Sequence, residues 1–422
     1  MYVIRTLSSV VSAVILLLAA SVSAAPNVVL ITADDMGYGD VSYNGSEIQT
    51  PAIDRLAAGG VRLDRFYVQS VCSPTRASLL TGRTAIQHGV SSPFNPWYEH
   101  GMPVDEKLLP EYLSENGYAT HIVGKWHLGP NELQYHPNNR GFDTFYGSLH
   151  GYVANHDTRT AYGRVDWQRN GETLIEDGYD THLIRDEAIR LIETRDPERP
   201  FFLFVNFTAP HTPLQASAEA IAEYGHLEGN RRVYAAMVSE MDRAVGSIVA
   251  AITDAGIVEH TFVMFFTDNG GVPRAGASNS PLRGGKNTPF EGGLRVPGVA
   301  YWPGTLAAGS EFNGRFTVMD ILPTVMDMAG LSLDPPKPLA GQSLWPTLTE
   351  GAAIPSHPVV FSNYIRGQLN HAYFRDEWKF VRVSIEVGET QDFLFNVYLD
   401  PREENDLAAA YPEVVTGMAA EL

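Results

Sequence analysis

Apolar runs alternate with amphipathic stretches along most of the chain. Four short apolar runs predict buried strands, at residues 27–32, 118–123, 201–207 and 261–267. Between them, apolar residues recur every three to four positions and predict helices, at residues 51–58, 75–81, 108–115 and 232–255. Strands that alternate with helices in this way predict an α/β fold, in which helices cover both faces of a large, mainly parallel sheet.

The C-terminal part of the chain has a different pattern. After a helix predicted at residues 319–329, a proline-rich connector occupies residues 334–338. Residues 371–383 and 393–399 then predict strands of a small antiparallel sheet. We therefore predict a large domain over residues 25–340 and a C-terminal subdomain over residues 341–422.

The first 24 residues carry the pattern of a signal peptide. Arg5 precedes an apolar run over residues 10–20, and small residues up to Ala24 resemble a cleavage site. The run is shorter than the ~20 apolar residues that a membrane-spanning helix needs. We therefore predict a periplasmic or secreted protein with a signal peptide over residues 1–24 and no membrane association after cleavage.

Charge and cysteine content narrow the possible partners. The net charge of −19 argues against nucleic acid, whose binding requires a basic surface. An anionic small ligand remains compatible, because a binding site is governed by its nearest charges. Export permits disulfides, but the chain has a single cysteine, Cys72, and so has no partner for an internal bridge. A lone cysteine in an exported protein requires another explanation.

Acidic pairs follow two of the predicted strands. Asp34 and Asp35 end the first strand, and Asp268 and Asn269 end the fourth. The carboxyl ends of parallel strands are where open α/β sheets bind ligands. Either pair alone is more often a turn or a helix cap. Together, four oxygen-bearing side chains without His or Cys predict a site for a hard cation, Ca²⁺ or Mg²⁺.

The residues around Cys72 predict the start of a helix. Pro74 suits the first helical position and Ser73 the cap, which leaves Cys72 just before the positive end of the helix dipole. Arg76 follows one turn later and can reach the same place. A lone cysteine is usually a buried core residue, but the polar residues that flank this one favour an anion site.

Four further basic side chains follow predicted strands or lie in a glycine-rich loop. Lys125 and His127 are two positions apart after the second strand, and in an extended segment they share one face. His211 lies just beyond the third strand, and Lys286 follows two glycines that permit close approach to a ligand. Each alone is more often a solvated lysine or a structural histidine, so their common position carries the prediction.

Taken in order, these segments resemble the type I sulfatase family. The segment over residues 72–76 resembles the family's first signature and the segment over residues 124–129 its second. Further segments that resemble the family lie at residues 34–40, 80–83, 267–271, 285–286, 291–297 and 398–407. The resemblance therefore extends from the first strand nearly to the end of the chain, and implies an alkaline-phosphatase-like fold.

The resemblance also implies a chemistry. In the family the motif cysteine is oxidised by a formylglycine-generating maturation enzyme to 3-oxoalanine (formylglycine), whose hydrated aldehyde is the nucleophile. By this resemblance Cys72 becomes formylglycine and Arg76 stabilises it. Lys125 and Lys286 would then bind the sulfate oxygens.

The same resemblance implies the remaining roles. His127 would hydrogen-bond the hydrated aldehyde, and His211 would protonate the leaving alcohol. One Ca²⁺ ion would be held by the residues of the two acidic pairs, which are Asp34, Asp35, Asp268 and Asn269.

The implied substrate is a sulfate monoester on a saccharide. The chain most resembles the N-acetylgalactosamine-4-sulfatase-like branch of the arylsulfatases, in which His156 is a candidate substrate contact. Two alternatives remain open. One is a phosphonate or phosphate ester hydrolase of the same superfamily. The two-metal phosphatases of that superfamily place His where this chain has Asn269, but a phosphonate hydrolase that bears formylglycine stays open. The other is a non-catalytic binder of sulfated glycans, which would be expected to have lost part of the catalytic set.

Overall fold

The computed structural model describes residues 25–151, 154, 165–353, 357–365, 367–386 and 388–422. The predicted signal peptide, residues 1–24, and His156 lie outside these residues. The α-helices of the described part are α1 (Pro51–Gly59), α2 (Cys72–Thr81), α3 (Ala85–His88), α4 (Leu109–Glu115), α5 (Asp180–Glu193), α6 (Ala218–Glu223), α7 (Gly229–Asp254), α8 (Glu291–Leu294), α9 (Ile321–Met328), α10 (Trp345–Glu350) and α11 (Pro412–Glu421).

The strands of the described part form one large sheet and one small sheet. Those of the large sheet are β1 (Asn27–Ala33), β2 (Val61–Tyr67), β3 (Ala119–Gly124), β4 (Thr144–Gly147), β5 (Gln168–Arg169), β6 (Glu172–Thr173), β7 (Phe201–Asn206), β8 (Thr261–Thr267), β9 (Arg295–Val296), β10 (Gly298–Tyr301) and β11 (Ser310–Thr317). Those of the small sheet are β12 (Val359–Ile365), β13 (Gln368–Arg375), β14 (Trp378–Glu386) and β15 (Glu389–Asn396).

The large sheet has the order β11-β2-β10-β8-β1-β7-β3-β4-β5-β6, with β9 paired to β2. Strands β8, β1, β7, β3 and β4 run parallel, and β10 is antiparallel to both β2 and β8. Helices cover both faces, so β1 is apolar on both: Val28 and Leu30 pack into one core, Val29 and Ile31 into the other. The predicted α/β architecture is confirmed.

The small sheet is antiparallel, with the order β12-β13-β14-β15, as the sequence predicted in outline. One detail of the prediction was wrong. Residues 371–383 do not form one strand, because the chain turns at Asp376, which has a φ of 52°, between β13 and β14. Three consecutive charged residues, Arg375, Asp376 and Glu377, interrupt the apolar pattern at this turn, and the sequence prediction extended one strand across them.

Buried charges hold the small sheet against the large one. The ammonium group of Lys379, on β14, lies 2.9 Å from the carboxylate of Glu291 and 2.8 Å from that of Glu403, and all three side chains are buried. Tyr67 donates a hydrogen bond to the other Glu291 oxygen at 2.9 Å. The C-terminal sheet is therefore anchored beside the segment that follows the Lys286 loop.

Candidate active site

The predicted site residues meet at one edge of the large sheet. Strands β8, β1, β7 and β3 are neighbours that run parallel, so their carboxyl ends lie side by side. Strand β2 has the same direction, because it and β8 are both antiparallel to β10. The segments that follow these strands carry all the predicted metal and catalytic residues, which are Asp34, Asp35, Cys72, Arg76, Lys125, His127, His211, Asp268, Asn269 and Lys286.

Two buried carboxylates each face a basic side chain. Lys125 Nζ donates to Asp34 Oδ2 at 2.5 Å, and both side chains are fully buried. Lys286 Nζ donates to Asp35 Oδ1 at 2.5 Å. These pairs join residues from three different segments of the chain, which is why only the folded sheet brings them together.

Three side-chain oxygens of this cluster have no hydrogen-bond donor among the described residues. Within the described part of the chain, Asp34 Oδ1, Asp268 Oδ1 and Asn269 Oδ1 are buried without a hydrogen bond. The amide nitrogen of Asn269 donates to Asp35 Oδ1 at 2.7 Å, which turns the amide oxygen away from that bond. A buried oxygen without a partner is costly, so three in one cluster fit the ligand set of a bound cation.

The donor set fits a metal ion. Ligand atoms of Asp34, Asp35 and His211 lie within 4.8 Å of one another. The four residues predicted from the strand ends offer only oxygen atoms, which suit a hard divalent cation. Asp34 and Asp35 thus form a candidate acidic metal site, and Asp268 and Asn269 extend it.

The pKa values of the acidic residues reflect this crowding. Although burial alone would raise it, Lys286 and His211 hold the pKa of Asp35 well below its usual range. Burial, and then repulsion from Asp34, raise the pKa of Asp268 to about 6. A divalent cation among these carboxylates would remove that repulsion and favour their ionised forms.

Cys72 is the first residue of α2, so the predicted helix start requires a correction. The cap is Val71, whose carbonyl accepts the first helical hydrogen bond, from Thr75 N at 3.1 Å. The Ser73 hydroxyl does not cap the helix, because it donates to the carbonyl of His127 at 2.8 Å. Burial raises the pKa of the Cys72 thiol, against the charges of Lys125 and Lys286, which lower it.

His127 is buried in a single tautomer. Its Nε2 lies 3.0 Å from the carbonyl oxygen of Phe94, which can only accept, so Nε2 carries the hydrogen. Among the residues that the structure describes, Nδ1 has no hydrogen-bond partner. Burial, with the charges of Lys125 and Arg76, lowers the pKa of His127 well below its usual value. The ring is therefore neutral and offers the Nδ1 lone pair as an acceptor.

His211 lies beside the acidic cluster at the mouth of the site. Its Nε2 is 3.6 Å from Asp35 Oδ2, and its Nδ1 is 2.6 Å from the carbonyl oxygen of Thr212. Burial lowers the pKa of His211 to about 4, while Asp35 acts to raise it and Lys286 to lower it. The Nδ1 hydrogen is thus fixed on the backbone, and Nε2 faces the carboxylate.

Comparison with known proteins decides the family. The family model described as Sulfatase matches residues 26–331. The chain belongs to the sulfatase family. N-acetylgalactosamine-6-sulfatase of Mus musculus is 37% identical over 389 residues, covering 86% of this chain and 73% of the relative. Arylsulfatase J of Mus musculus is 32% identical over 445 residues, covering 92% and 74%.

Solved structures agree with the sequence comparison. The crystal structure of Ps i-CgsB in complex with k-i-k-neocarrahexaose superimposes with a TM-score of 0.89 at 33% identity, covering 94% of this chain and 91% of that one. The predictions of the sulfatase family, of its alkaline-phosphatase-like fold and of a sulfatase enzyme are confirmed. No helix in the described part of this sulfatase combines the length and apolar character needed to cross a membrane.

A cleft of about 800 Å³ opens from the catalytic edge of this sulfatase. Asp35, His211 and Lys286 line its floor. Its outer wall includes residues that the sequence analysis missed, from α7, from the segment after β8 and from the β12–β13 hairpin, namely Asn230, Arg274, Asn287, Gln368 and Asn370. Their proximity in the fold, rather than any motif, identifies them, because they come from distant parts of the chain.

Proposed function

We propose that this sulfatase hydrolyses a sulfate monoester on a saccharide, with a formylglycine made from Cys72 as nucleophile and one Ca²⁺ beside it. The observation that carries the proposal is the position of Cys72. This single cysteine is buried at the first residue of α2, under the influence of Lys125 and Lys286. Sulfate would therefore meet the helix N-terminus and two ammonium groups at one point.

An unmodified thiol suits this position poorly. Its pKa is raised by burial, so the reactive thiolate would be scarce at neutral pH. Formylglycine would supply a hydrated aldehyde, one hydroxyl of which attacks sulfur while the other permits return to the aldehyde as sulfate leaves. The neutral His127 supports this role, because the lone pair on Nδ1 can accept a hydrogen bond from a hydroxyl.

The basic residues would stabilise the charge that develops on the sulfonyl oxygens. Lys125 and Lys286 are already oriented by Asp34 and Asp35, so little reorganisation is needed when the sulfate arrives. Asp34, Asp35, Asp268 and Asn269 would hold Ca²⁺, which supplies further positive charge at the same place.

His211 would protonate the oxygen of the departing alcohol. In the free protein its pKa of about 4 leaves the ring neutral at pH 7. An anionic sulfate ester that binds next to Nε2 would raise this pKa, because a nearby negative charge favours the imidazolium form. The proton would then be transferred from Nε2 to the leaving oxygen as the sulfur–oxygen bond breaks.

A saccharide is the substrate that best fits the size and polarity of the cleft. The main cleft of about 800 Å³ adjoins a second groove of about 410 Å³, and both are lined by Asn287 and Ile365. Their combined volume accommodates more than one sugar unit and exceeds the needs of a simple aryl sulfate. The structure that contains neocarrahexaose, at 33% identity, supports the same substrate class.

The test is sulfate release from a panel of sulfated glycans and their oligosaccharides, measured by ion chromatography after coexpression with a formylglycine-generating enzyme. We expect sulfate release that disappears in the Cys72→Ala variant. Phosphate and phosphonate esters serve as competing substrates. Release of phosphate or phosphonate alone would overturn the proposal in favour of the alternative hydrolase.

The maturation step has its own test. We expect the tryptic peptide over residues 66–76 to have the mass of formylglycine, in which an aldehyde oxygen replaces the sulfur of Cys72 and two hydrogens are lost. A peptide with an unmodified thiol in an active preparation would contradict the proposed nucleophile. The chain has Thr75 where the family commonly has Ser or Ala, so this measurement also shows whether the variant motif is matured.

We also propose that the enzyme acts in the periplasm or outside the cell. Support comes from the N-terminal pattern over residues 1–24 and from a sulfated polysaccharide as the expected substrate. Cell fractionation of the expressing organism, with a blot against the enzyme, tests this. Recovery only with the cytoplasmic marker would contradict it.

A further inference from the structure

The outer wall of the cleft carries a positive charge, in contrast to the acidic chain as a whole. Among the described residues that line it outside the catalytic set, Arg274 is charged and no carboxylate is present. The whole chain, by contrast, has a net charge of −19. A wall with a positive charge and without acids favours negatively charged ligands beyond the sulfate that occupies the catalytic edge.

Arg274 is presented from a turn that is fixed beside the Lys286 loop. The turn is the 3-10 helix Pro273–Ala275. Just before it, the carbonyl of Gly271 accepts a hydrogen bond from Lys286 N at 3.1 Å. A Cβ atom on Gly285 would lie 3.3 Å from Pro273 Cδ, so the two loops pack closely. Arg274 and the sulfate-binding lysine are therefore carried by adjoining segments.

The backbone of Arg274 is also held from α7. Asn230 Nδ2 donates to the carbonyl oxygen of Arg274 at 3.1 Å. The neighbouring Arg231 is neutralised by Asp40 at 2.5 Å and Glu47 at 2.9 Å. In contrast, the exposed guanidinium of Arg274 forms no ion pair with any carboxylate in the described part of the chain. Its five donors are thus available to a ligand.

We propose that Arg274 binds a second anionic group of the glycan, a sulfate or a carboxylate on the sugar next to the one that is desulfated. The proposal rests on the proposed function and specifies its substrate as a glycan with at least two negative charges. The planar guanidinium can bind two oxygens of either group at once. Arg274 would select the substrate and not take part in the chemistry, because it lies on the wall of the cleft.

The test compares Arg274→Gln with Arg55→Gln. Arg55 is an exposed arginine on α1 outside the cleft lining, so its substitution changes the net charge equally. The substrates are a monosulfated disaccharide without other charges, the same disaccharide with a second sulfate, and one with a uronic acid. Steady-state kinetics are measured on the matured enzyme, and thermal melts verify that each variant is folded.

We expect Arg274→Gln to raise KM about 10- to 100-fold for the doubly charged substrates, with little change in kcat. KM for the monosulfated disaccharide should stay the same, and Arg55→Gln should leave all values unchanged. The doubly charged substrate with the larger effect identifies sulfate or carboxylate as the group bound. An equal effect on all three substrates would overturn the proposal, because Arg274 would then act only through the Lys286 loop.

Binding gives a readout that does not depend on turnover. In the Cys72→Ala background, calorimetry with the disulfated and uronate-containing disaccharides should show binding that Arg274→Gln weakens by the same factor. If Arg274→Gln and Arg55→Gln bind both ligands equally, the proposal is overturned, even where sulfate release by the parent enzyme upholds the proposed function. If the parent releases no sulfate but the binding difference persists, the proposed function fails and the anion site remains.

Discussion

Arg76 donates two hydrogen bonds to one carboxylate oxygen of Asp268, from Nη2 at 2.9 Å and from Nε at 3.2 Å. The other oxygen, Oδ1, is buried and has no hydrogen-bond partner in the described structure. Asp34 has the same arrangement. Its Oδ2 accepts a hydrogen bond from Lys125, and its Oδ1 has no hydrogen-bond partner among the described residues. Basic residues therefore fix the orientation of both carboxylates and leave one oxygen of each for a cation.

Removal of divalent cations should destabilise the enzyme. A ligand that binds only the folded state contributes about 2.7 kcal/mol when present at about 100 times its Kd, so a chelator should lower Tm by several degrees. Added Ca²⁺ should restore Tm. The Asp34→Asn variant should lose this response, whereas Asp186→Asn, whose side chain is 61% exposed, should keep it. A Tm that neither chelator nor Ca²⁺ changes would contradict the metal site.

Substitution of His211 should slow the hydrolysis of sulfate esters with poor leaving groups most. If His211 protonates the leaving alcohol, His211→Gln should lower kcat/KM about 10²- to 10⁴-fold for a sugar sulfate. The loss should be far smaller for 4-nitrophenyl sulfate, because nitrophenolate leaves without a proton. The measurement is the ratio of kcat/KM for the two substrates in variant and parent. Equal losses on both would indicate that His211 only binds the sulfate or the metal.

The buried Lys379 should be required for attachment of the small sheet. It lies between Glu291 and Glu403, and burial, with repulsion from Glu291, raises the pKa of Glu403 to about 7, against the charge of Lys379. Lys379→Met would leave the buried Glu403 without its cation and Glu291 with only Arg295, 3.9 Å away, which should cost about 3–5 kcal/mol in urea unfolding at pH 8.

A matched variant controls for the loss of a surface charge. Lys107 pairs with the exposed Glu115, and such surface pairs contribute about 0–1 kcal/mol. Lys107→Met should therefore have little effect on the urea midpoint. The cost of Lys379→Met should decrease toward pH 5, where Glu403 becomes protonated. A midpoint for Lys379→Met that matches Lys107→Met at pH 8 would show that the buried cluster does not hold the sheet.

Asp180 should make stability depend on pH. Burial raises the pKa of Asp180 to about 7, although Thr208 and Thr181 donate hydrogen bonds to it. In the unfolded chain the pKa of Asp180 is about 3.9. Between about pH 4 and pH 7 the folded state therefore binds one proton more than the unfolded state. This contribution to stability is complete below about pH 4 and is lost as the pH rises through about 7.

The Asp180→Asn variant keeps a neutral side chain at every pH. It should be more stable than the parent at pH 8, by about 2–4 kcal/mol, and its stability should vary less between pH 4 and 8. Urea unfolding across this range measures the difference. Asp186→Asn, on the exposed face of the same helix, is the control and should follow the parent curve. A decrease in stability of Asp180→Asn at pH 8 would contradict the raised pKa.

Local sequence determined much of the fold and the identity of the candidate site. The apolar runs of β1, β3, β7 and β8 were predicted to within one or two residues, because a strand buried on both faces must be apolar throughout. The polar residues that end those runs were correctly expected at one edge of the sheet. Each of these inferences uses only the types of residues that are close together along the chain.

The tertiary structure decided how those residues act on one another. The hydrogen bond between Arg76 and Asp268 joins residues 192 positions apart, and the sequence analysis had assigned Arg76 only to the region of Cys72. The start of α2 also differs from the prediction, because the Ser73 hydroxyl donates to the distant carbonyl of His127 and does not cap the helix. Strand order sets these contacts, and strand order is not encoded in local periodicity.

The cleft wall shows most clearly what the tertiary structure adds to the sequence. Arg274, Asn287 and Gln368 belong to no apolar run and lie in three separate segments, yet they line one cleft. Gln368 lies on β13 of the small sheet, which Lys379 links to Glu291 and Glu403. The sequence alone thus determined the candidate catalytic residues, because they are recognised by residue type at strand ends. Only the tertiary structure decided which side chains line the cleft, because that depends on how distant segments pack.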